Sequence, residues 1–166
     1  AYFLGLLFGS SGGMNSLCAA DTPNIVLILA DDFGYGSATC YGANPTLVHT
    51  PHIDRLAKEG RRFTDANTTS SVCSPTRYSV LTGRYCWRTS LKFEVLDTFA
   101  PLHIETSRLN VASLLKKHGY STAAVGKWHL GYGTASDAPK WRLDYAAELS
   151  PGPLDRSEEH TSELQS

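Results

Sequence analysis

The chain has 166 residues, with 15 Lys and Arg against 16 Asp and Glu and a formal net charge of -1. That length fits one small domain, and a near-neutral balance leaves no global field to draw in nucleic acid or an anionic membrane. The adjacent basic pairs Arg61-Arg62 and Lys116-Lys117 read as solvated faces, and four cysteines without C-x-x-C spacing argue against a structural zinc site.

Residues 1–20 begin in an apolar run, Ala1 to Gly9, and end in the small residues of Leu17-Cys18-Ala19-Ala20. They read as the remnant of a secretory signal peptide, which implies a secreted or periplasmic protein. The alternatives are a buried strand or a true start at Met14. The run is shorter than the roughly 20 apolar residues of a membrane-spanning helix, so no stable membrane span is expected. Ile25 to Ala30 is continuously apolar between Pro23 and Asp31-Asp32, the pattern of a strand buried on both faces. The acid pair then falls at the strand's C-terminal end, where open α/β sheets place their ligands.

A helix is predicted from Pro51 to Glu59, with Thr50 as N-cap, Pro51 at N1 and Gly60 as the stop. Ile53, Leu56 and Ala57 share its inward face. Arg62 to Ala66 reads as a strand. Asn110 to His118 reads as a second amphipathic helix, with Val111, Leu114 and Leu115 inward and Gly119 closing it. Ser121 to Val125 is then a strand whose end delivers Lys127 and His129. This alternation predicts an α/β layered domain with a mostly parallel central sheet flanked by helices, over residues 21–155. Residues 156–166 are polar, without a core-facing pattern, and resemble a translated sequencing adapter. They are set aside as a non-native tail, so His160 and its neighbouring glutamates are not taken as ligands.

The run Cys73-Ser74-Pro75-Thr76-Arg77, followed by Leu81-Thr82-Gly83-Arg84, carries the strongest chemical signal. Pro75 suits the first turn of a helix. Cys73 is expected just ahead of that helix, where free N–H groups and the dipole favour an anion. Arg77 lies one turn on, with a cationic fork. Cys73 could equally be a small buried hydrophobe or a thiolate nucleophile.

This run resembles the first signature of the type I sulfatases, in the alkaline-phosphatase-like superfamily. Gly119-Tyr120-Ser121-Thr122-Ala123-Ala124-Val125-Gly126-Lys127-Trp128-His129 resembles the second, G-Y-x-T-x-x-x-G-K-W-H, and Pro23 to Asp32 resembles the opening strand with its metal-binding acid pair. The resemblance implies that Cys73 is converted to formylglycine by a formylglycine-generating enzyme. The aldehyde hydrate is the family's nucleophile, one hydroxyl attacking sulfur and the other allowing the sulfated intermediate to collapse.

By the same resemblance, Asp31, Asp32 and the residue at 73 hold a divalent cation. Hard carboxylate oxygens suit Ca²⁺ first, with Mg²⁺ as the alternative. Arg77 would hold the formylglycine oxygens, Lys127 would bind sulfate, and His129 would bond the formylglycine hydroxyl or move a proton. Ser74 and Thr76 are assigned to recognition by the maturing enzyme and to helix capping. The expected substrate is a sulfated small molecule or polysaccharide, with arylsulfatase as the default activity. Phosphate or phosphonate monoester hydrolysis and a catalytically inactive binding role are the rivals. The family completes its metal shell and pocket with an acid, an amide residue, a histidine and a lysine further along. The resemblance therefore implies that this chain is an N-terminal part, inactive alone. Cys18 would leave with the signal peptide, and Cys40 and Cys86 would either pair or remain inert thiols.

Overall fold

A computed structural model describes residues 22–97, 100–133 and 150–152, together with the backbone of residues 2–7 and 161–162. The remaining residues of 1–20, expected to be a signal remnant, and most of 156–166, expected to be a non-native tail, lie outside the described residues. Two compact units are present, Ala1–Thr68 and Thr69–Ser166.

In the first unit, β1 (Tyr2–Leu7) pairs antiparallel with β2 (Ile25–Ala30), in a register that sets Tyr2 against Ala30 and Leu7 against Ile25. β2 falls where the apolar run predicts a strand, but its expected burial on both faces is not found. Ile25, Val26, Leu27 and Ile28 are each between 40% and 51% exposed. Backbone pairing satisfies one edge of a strand; burying its side chains needs a packed layer over each face.

Helix α1 (Pro51–Glu59) has the expected bounds, with Thr50 as N-cap, Pro51 at N1 and the Gly60 N–H closing onto Leu56 O. Ile53, Leu56 and Ala57 are half-buried as expected. Thr50 does not cap through its side chain. Its Oγ1 accepts from Thr39 N at 2.9 Å, and Asp54, one turn into the helix, accepts from Cys40 N at 2.8 Å and from Thr39 Oγ1. These bonds lower the Asp54 pKa, that from Thr39 most, and lash α1 to the tight turn at Thr39–Tyr41.

Arg62 to Ala66 is not a strand. Side-chain contacts take over: Arg62 bonds Cys40 O and lies over the Tyr41 ring, Tyr41 OH donates to Phe63 O at 2.8 Å, and Asn67 Nδ2 bonds Asp65 Oδ1 at 3.0 Å. Of these bonds only that from Tyr41 takes up backbone of the segment, at Phe63 O; Arg62 and Asp65 are held through their side chains.

The second unit is built around α2 (Cys73–Thr82) and α3 (Val111–Lys117). Its core holds Tyr78, Cys86, Ile104, Trp128, Leu130 and Tyr132. α2 buries Ser74, Thr76, Tyr78 and Ser79, a mostly small polar face whose hydroxyls find partners nearby. Thr76 Oγ1 donates to Ser70 O at 2.7 Å and Ser79 Oγ to Pro75 O at 2.9 Å. α3 starts at a capping box: Asn110 Oδ1 accepts from Ser113 N at 2.7 Å, and Ser113 Oγ accepts from Asn110 N at 2.9 Å. Gly119, at φ 83°, leads the chain away beyond it, near the expected end. The inward face of α3 differs from the expectation. Ala112 is the buried residue, while Val111 and Leu114 are exposed, because the small Ala112 allows the close approach and the apolar stripe beside it has no cover among the described residues.

The strand expected over Ser121–Val125 shortens to β3 (Ala124–Val125), paired parallel with β4 (Thr161–Ser162). Among the described residues the sheets are these two pairs only, so the larger, mostly parallel sheet remains an expectation. Cys40 and Cys86 are both thiols, with burial raising the pKa of each.

The segment 130–133 is laced to 100–103 by Tyr132 N→Ala100 O at 3.1 Å, His103 N→Leu130 O at 2.9 Å and Leu102 N→Gly133 O at 3.0 Å. Gly131 sits at this seam with φ 79°, and a Cβ there would lie 2.1 Å from Pro101 O. Gly131→Ala should therefore destabilise the protein by on the order of 3 kcal/mol, from left-handed strain and backbone overlap together. Thermal unfolding checks this, and an unchanged midpoint would refute the seam. Glu105 gives a pH test. Arg108 donates to it from Nε at 2.6 Å and from the guanidinium fork at 3.0 Å, and chiefly for that reason its pKa falls from 4.5 to about 2. A depressed carboxylate stabilises the fold above its unfolded pKa and loses that contribution as pH falls through the folded one. The gap in melting temperature between wild type and Glu105→Gln should be widest above pH 4.5 and close towards pH 2. It should also be small, since the carboxylate is partly exposed and solvent screens it. A gap independent of pH would contradict the assignment.

Candidate active site

Cys73 is the first residue of α2, not the residue ahead of it, and Val72 is the N-cap without any side-chain cap bond. Ser74 and Thr76 thus do not cap the helix. Their hydroxyls turn instead to Leu96 N and Ser70 O. Pro75 falls in the first turn, as its missing N–H requires. Gly83, at φ 65°, ends the helix by donating to Ser79 O at 2.8 Å; the left-handed conformation is what the Leu-Thr-Gly stop supplies.

The loop after β3 brings Lys127 back to the start of α2. Lys127 Nζ donates to Cys73 Sγ at 3.3 Å across 54 residues of sequence. Arg77, one turn into α2, donates from its guanidinium to the Lys127 carbonyl. The helix thereby grips the backbone of the residue whose side chain reaches Cys73. One ammonium therefore stands beside the half-buried sulfur, and the guanidinium of Arg77 fixes the backbone that carries it.

Trp128, between Lys127 and His129, is buried and donates from Nε1 to Gly131 O at 2.8 Å. It anchors the loop as core packing. His129 carries φ 51°, and its Nε2 donates to Leu96 O at 3.0 Å. Its Nδ1 is buried and has no hydrogen-bond partner among the described residues. Leu96 is held in turn, its N–H donating at 3.0 Å to the Oγ of Ser74, which is fully buried. No sequence signal points to Leu96, because it acts through its backbone.

Asp31 and Asp32 belong to the first unit, at the C-terminal end of β2 as expected. Both are exposed, and Asp32 has φ 53°. Their carboxylates are hard oxygen donors suited to Ca²⁺ or Mg²⁺. Among the described residues no group of three or more His, Cys, Asp or Glu is arranged to hold a metal. The pair is thus a partial shell that further oxygen ligands would have to complete.

His52 and His118 are exposed, in keeping with solvated helix faces, and Trp87 is exposed and stacked on Tyr85 with the Arg88 guanidinium 5.3 Å from its ring. His103 is half-buried against Thr89 Oγ1 at 2.7 Å, and burial lowers its pKa. Neutral and packed against the Tyr78 ring, it reads as structure.

Comparison with known proteins places this geometry in a family. The sulfatase family model matches residues 23–165. The N-acetylgalactosamine-6-O-sulfatase of Bacteroides thetaiotaomicron is 45% identical over 129 residues, covering 78% of this chain and 24% of that protein. Human arylsulfatase H is 44% identical over 120 residues, covering 69% of this chain and 21% of that protein. A solved structure connected with the metabolism of multiple glycosaminoglycans by Bacteroides thetaiotaomicron superposes with a TM-score of 0.68 at 40% identity, over 79% of this chain and 26% of that one. The chain thus spans about a quarter of the length of these relatives. With the Cys73 helix, the Lys127–His129 loop and the Asp31-Asp32 strand end all inside the matched region, the chain belongs to the sulfatase family.

Proposed function

We propose that the protein is a sulfuric ester hydrolase that works through formylglycine made from Cys73, with a divalent cation held in part by Asp31 and Asp32. The observation that carries this reading is the Lys127 ammonium 3.3 Å from Cys73 Sγ, on a loop that Arg77 fastens to the same helix. That arrangement stabilises negative charge at and beside position 73, which an ester sulfate brings and which grows as the ester bond breaks.

The formylglycine hydrate, once formed, supplies an oxygen nucleophile and a second hydroxyl through which the sulfated residue can release sulfate. The chain's own residues do the rest. Lys127 binds a sulfate oxygen. Arg77 keeps Lys127 in place by its backbone and adds positive charge to the start of α2. His129 offers an acceptor nitrogen at Nδ1 for a hydroxyl proton. Asp31 and Asp32 contribute two oxygen ligands to a Ca²⁺ site, or a Mg²⁺ site with the same donors.

The substrate class is a sulfated saccharide or an aryl sulfate. The first is supported by the N-acetylgalactosamine-6-O-sulfatase relative and the second by the arylsulfatase relative. Maturation requires a formylglycine-generating enzyme as partner. Residues 1–20 act as an export signal and 21–155 form the N-terminal part of the catalytic domain, while 156–166 carry no site residue. Export to the periplasm or outside the cell fits these assignments. No helix among the described residues is long and apolar enough to cross a membrane.

Peptide mass spectrometry across Cys73, after co-expression of the full-length protein with a formylglycine-generating enzyme, should find the aldehyde. A peptide that stays wholly thiol would count against the mechanism. On paired aryl esters, the full-length protein should hydrolyse the sulfate in preference to the phosphate; the opposite preference would move the reading to phosphate monoesters. Lys127→Ala should lower kcat for the sulfate ester by about 10²–10³-fold, the usual loss when one oxyanion-stabilising donor is removed. An unchanged kcat would remove Lys127 from the site.

A further inference from the structure

His129 has two ring nitrogens, and only one of them is held. Nε2 donates to the Leu96 carbonyl at 3.0 Å, while Nδ1 is buried with no partner among the described residues. A carbonyl oxygen accepts and cannot donate, so this contact requires the proton on Nε2. In the neutral ring, Nδ1 then carries the lone pair. The hydrogen bond at one nitrogen sets the chemistry available at the other.

Leu96 is itself fixed from the far side. Its N–H donates at 3.0 Å to Ser74 Oγ, and Ser74 is completely buried on α2, next to Cys73. A single peptide segment therefore links the helix that carries residue 73 to the imidazole of His129. Leu96 stands in an irregular stretch, with no regular element of its own to hold its carbonyl in place. Its neighbours Val95 and Asp97 are exposed. The Ser74 hydroxyl anchors Leu96 at its N–H, one peptide before the carbonyl that meets His129, and so holds the residue's backbone from the helix side.

We propose that Ser74 is a positioning residue for His129: by holding the Leu96 peptide, it fixes the Nε2–H tautomer and leaves Nδ1 as the free acceptor. Ser74 thus has a role in the mature site separate from any part in recognition by the maturing enzyme. The tautomer claim stands on these contacts alone. Its catalytic consequence rests on the sulfatase reading, in which His129 takes or shares a proton at position 73.

The test is the imidazole ¹⁵N spectrum of full-length protein labelled at histidine, at a pH where the ring is neutral, with His129→Gln identifying the signals. Wild type should show a pyrrole-type Nε2 and a pyridine-type Nδ1, a single tautomer. Ser74→Ala should give averaged shifts from mixed tautomers, and Ser74→Thr, which keeps the hydroxyl, should restore the wild-type pattern. In parallel, kcat per mole of formylglycine, counted by peptide mass spectrometry, should fall about tenfold in Ser74→Ala with KM unchanged; general acid–base steps are worth more than that in full. Counting formylglycine separates a positioning defect from poor maturation. A wild-type ring protonated at Nδ1 would overturn the proposal without any variant. So would a Ser74→Ala protein that melts normally and keeps the single Nε2–H tautomer. If the spectra behave as expected while neither protein cleaves a sulfate ester, the positioning role holds and the sulfatase reading fails.

Discussion

The contact on which the site depends is the bond from the Arg77 guanidinium to the Lys127 carbonyl. It joins segments 50 residues apart, and it does so at the backbone, so the position of Lys127 is set before its side chain makes any contact. The ammonium then needs only to reach Cys73. Without that fastening the 126–129 loop would lose its tie to α2, and a flexible lysine stem loses much rotamer freedom for each bond it makes. Arginine suits this task because its planar fork is pre-organised and always charged.

Around that clamp the second unit spends little apolar area. α2 turns hydroxyls inward at Ser74, Thr76 and Ser79, and those with recorded bonds find backbone partners: Leu96 N, Ser70 O and Pro75 O. Each is a tie between the helix and a peptide that would otherwise be irregular. The apolar core of Tyr78, Ile104, Trp128, Leu130 and Tyr132 takes Tyr78 from α2 itself and Trp128 from the loop that carries Lys127.

Much of this was legible from residue types. Pro51 and Gly60 bracket α1, and Gly83 ends α2, because glycine and proline have few alternatives at such points. Cys73 and Arg77 from one motif and Lys127 from another do come together in the structure. Burial was not legible for β2 or for Val111 and Leu114, since an apolar side chain reports what it would do under a layer and not whether that layer is supplied. The Arg62–Ala66 stretch misled in the other way: it is held by side-chain bonds from Arg62, Tyr41 and Asn67 and not by strand pairing. Leu96 was invisible in principle. Its part is played by an amide and a carbonyl, which every residue but proline owns.

Asp32 and His129 share a property with six of the glycines among the described residues: both stand at positive φ, 53° and 51°. Asp, Asn and His enter that region far more readily than branched or bulky side chains do. The backbone therefore screens replacements at these two positions before chemistry does. An Asn substitution changes charge or basicity while leaving the turn at ease. A Val or Ile adds conformational strain on top of the lost group, so that a dead variant of that kind would say as much about the loop as about the reaction. Any future dissection of the acid pair or the histidine has its informative substitutions chosen for it by two dihedral angles.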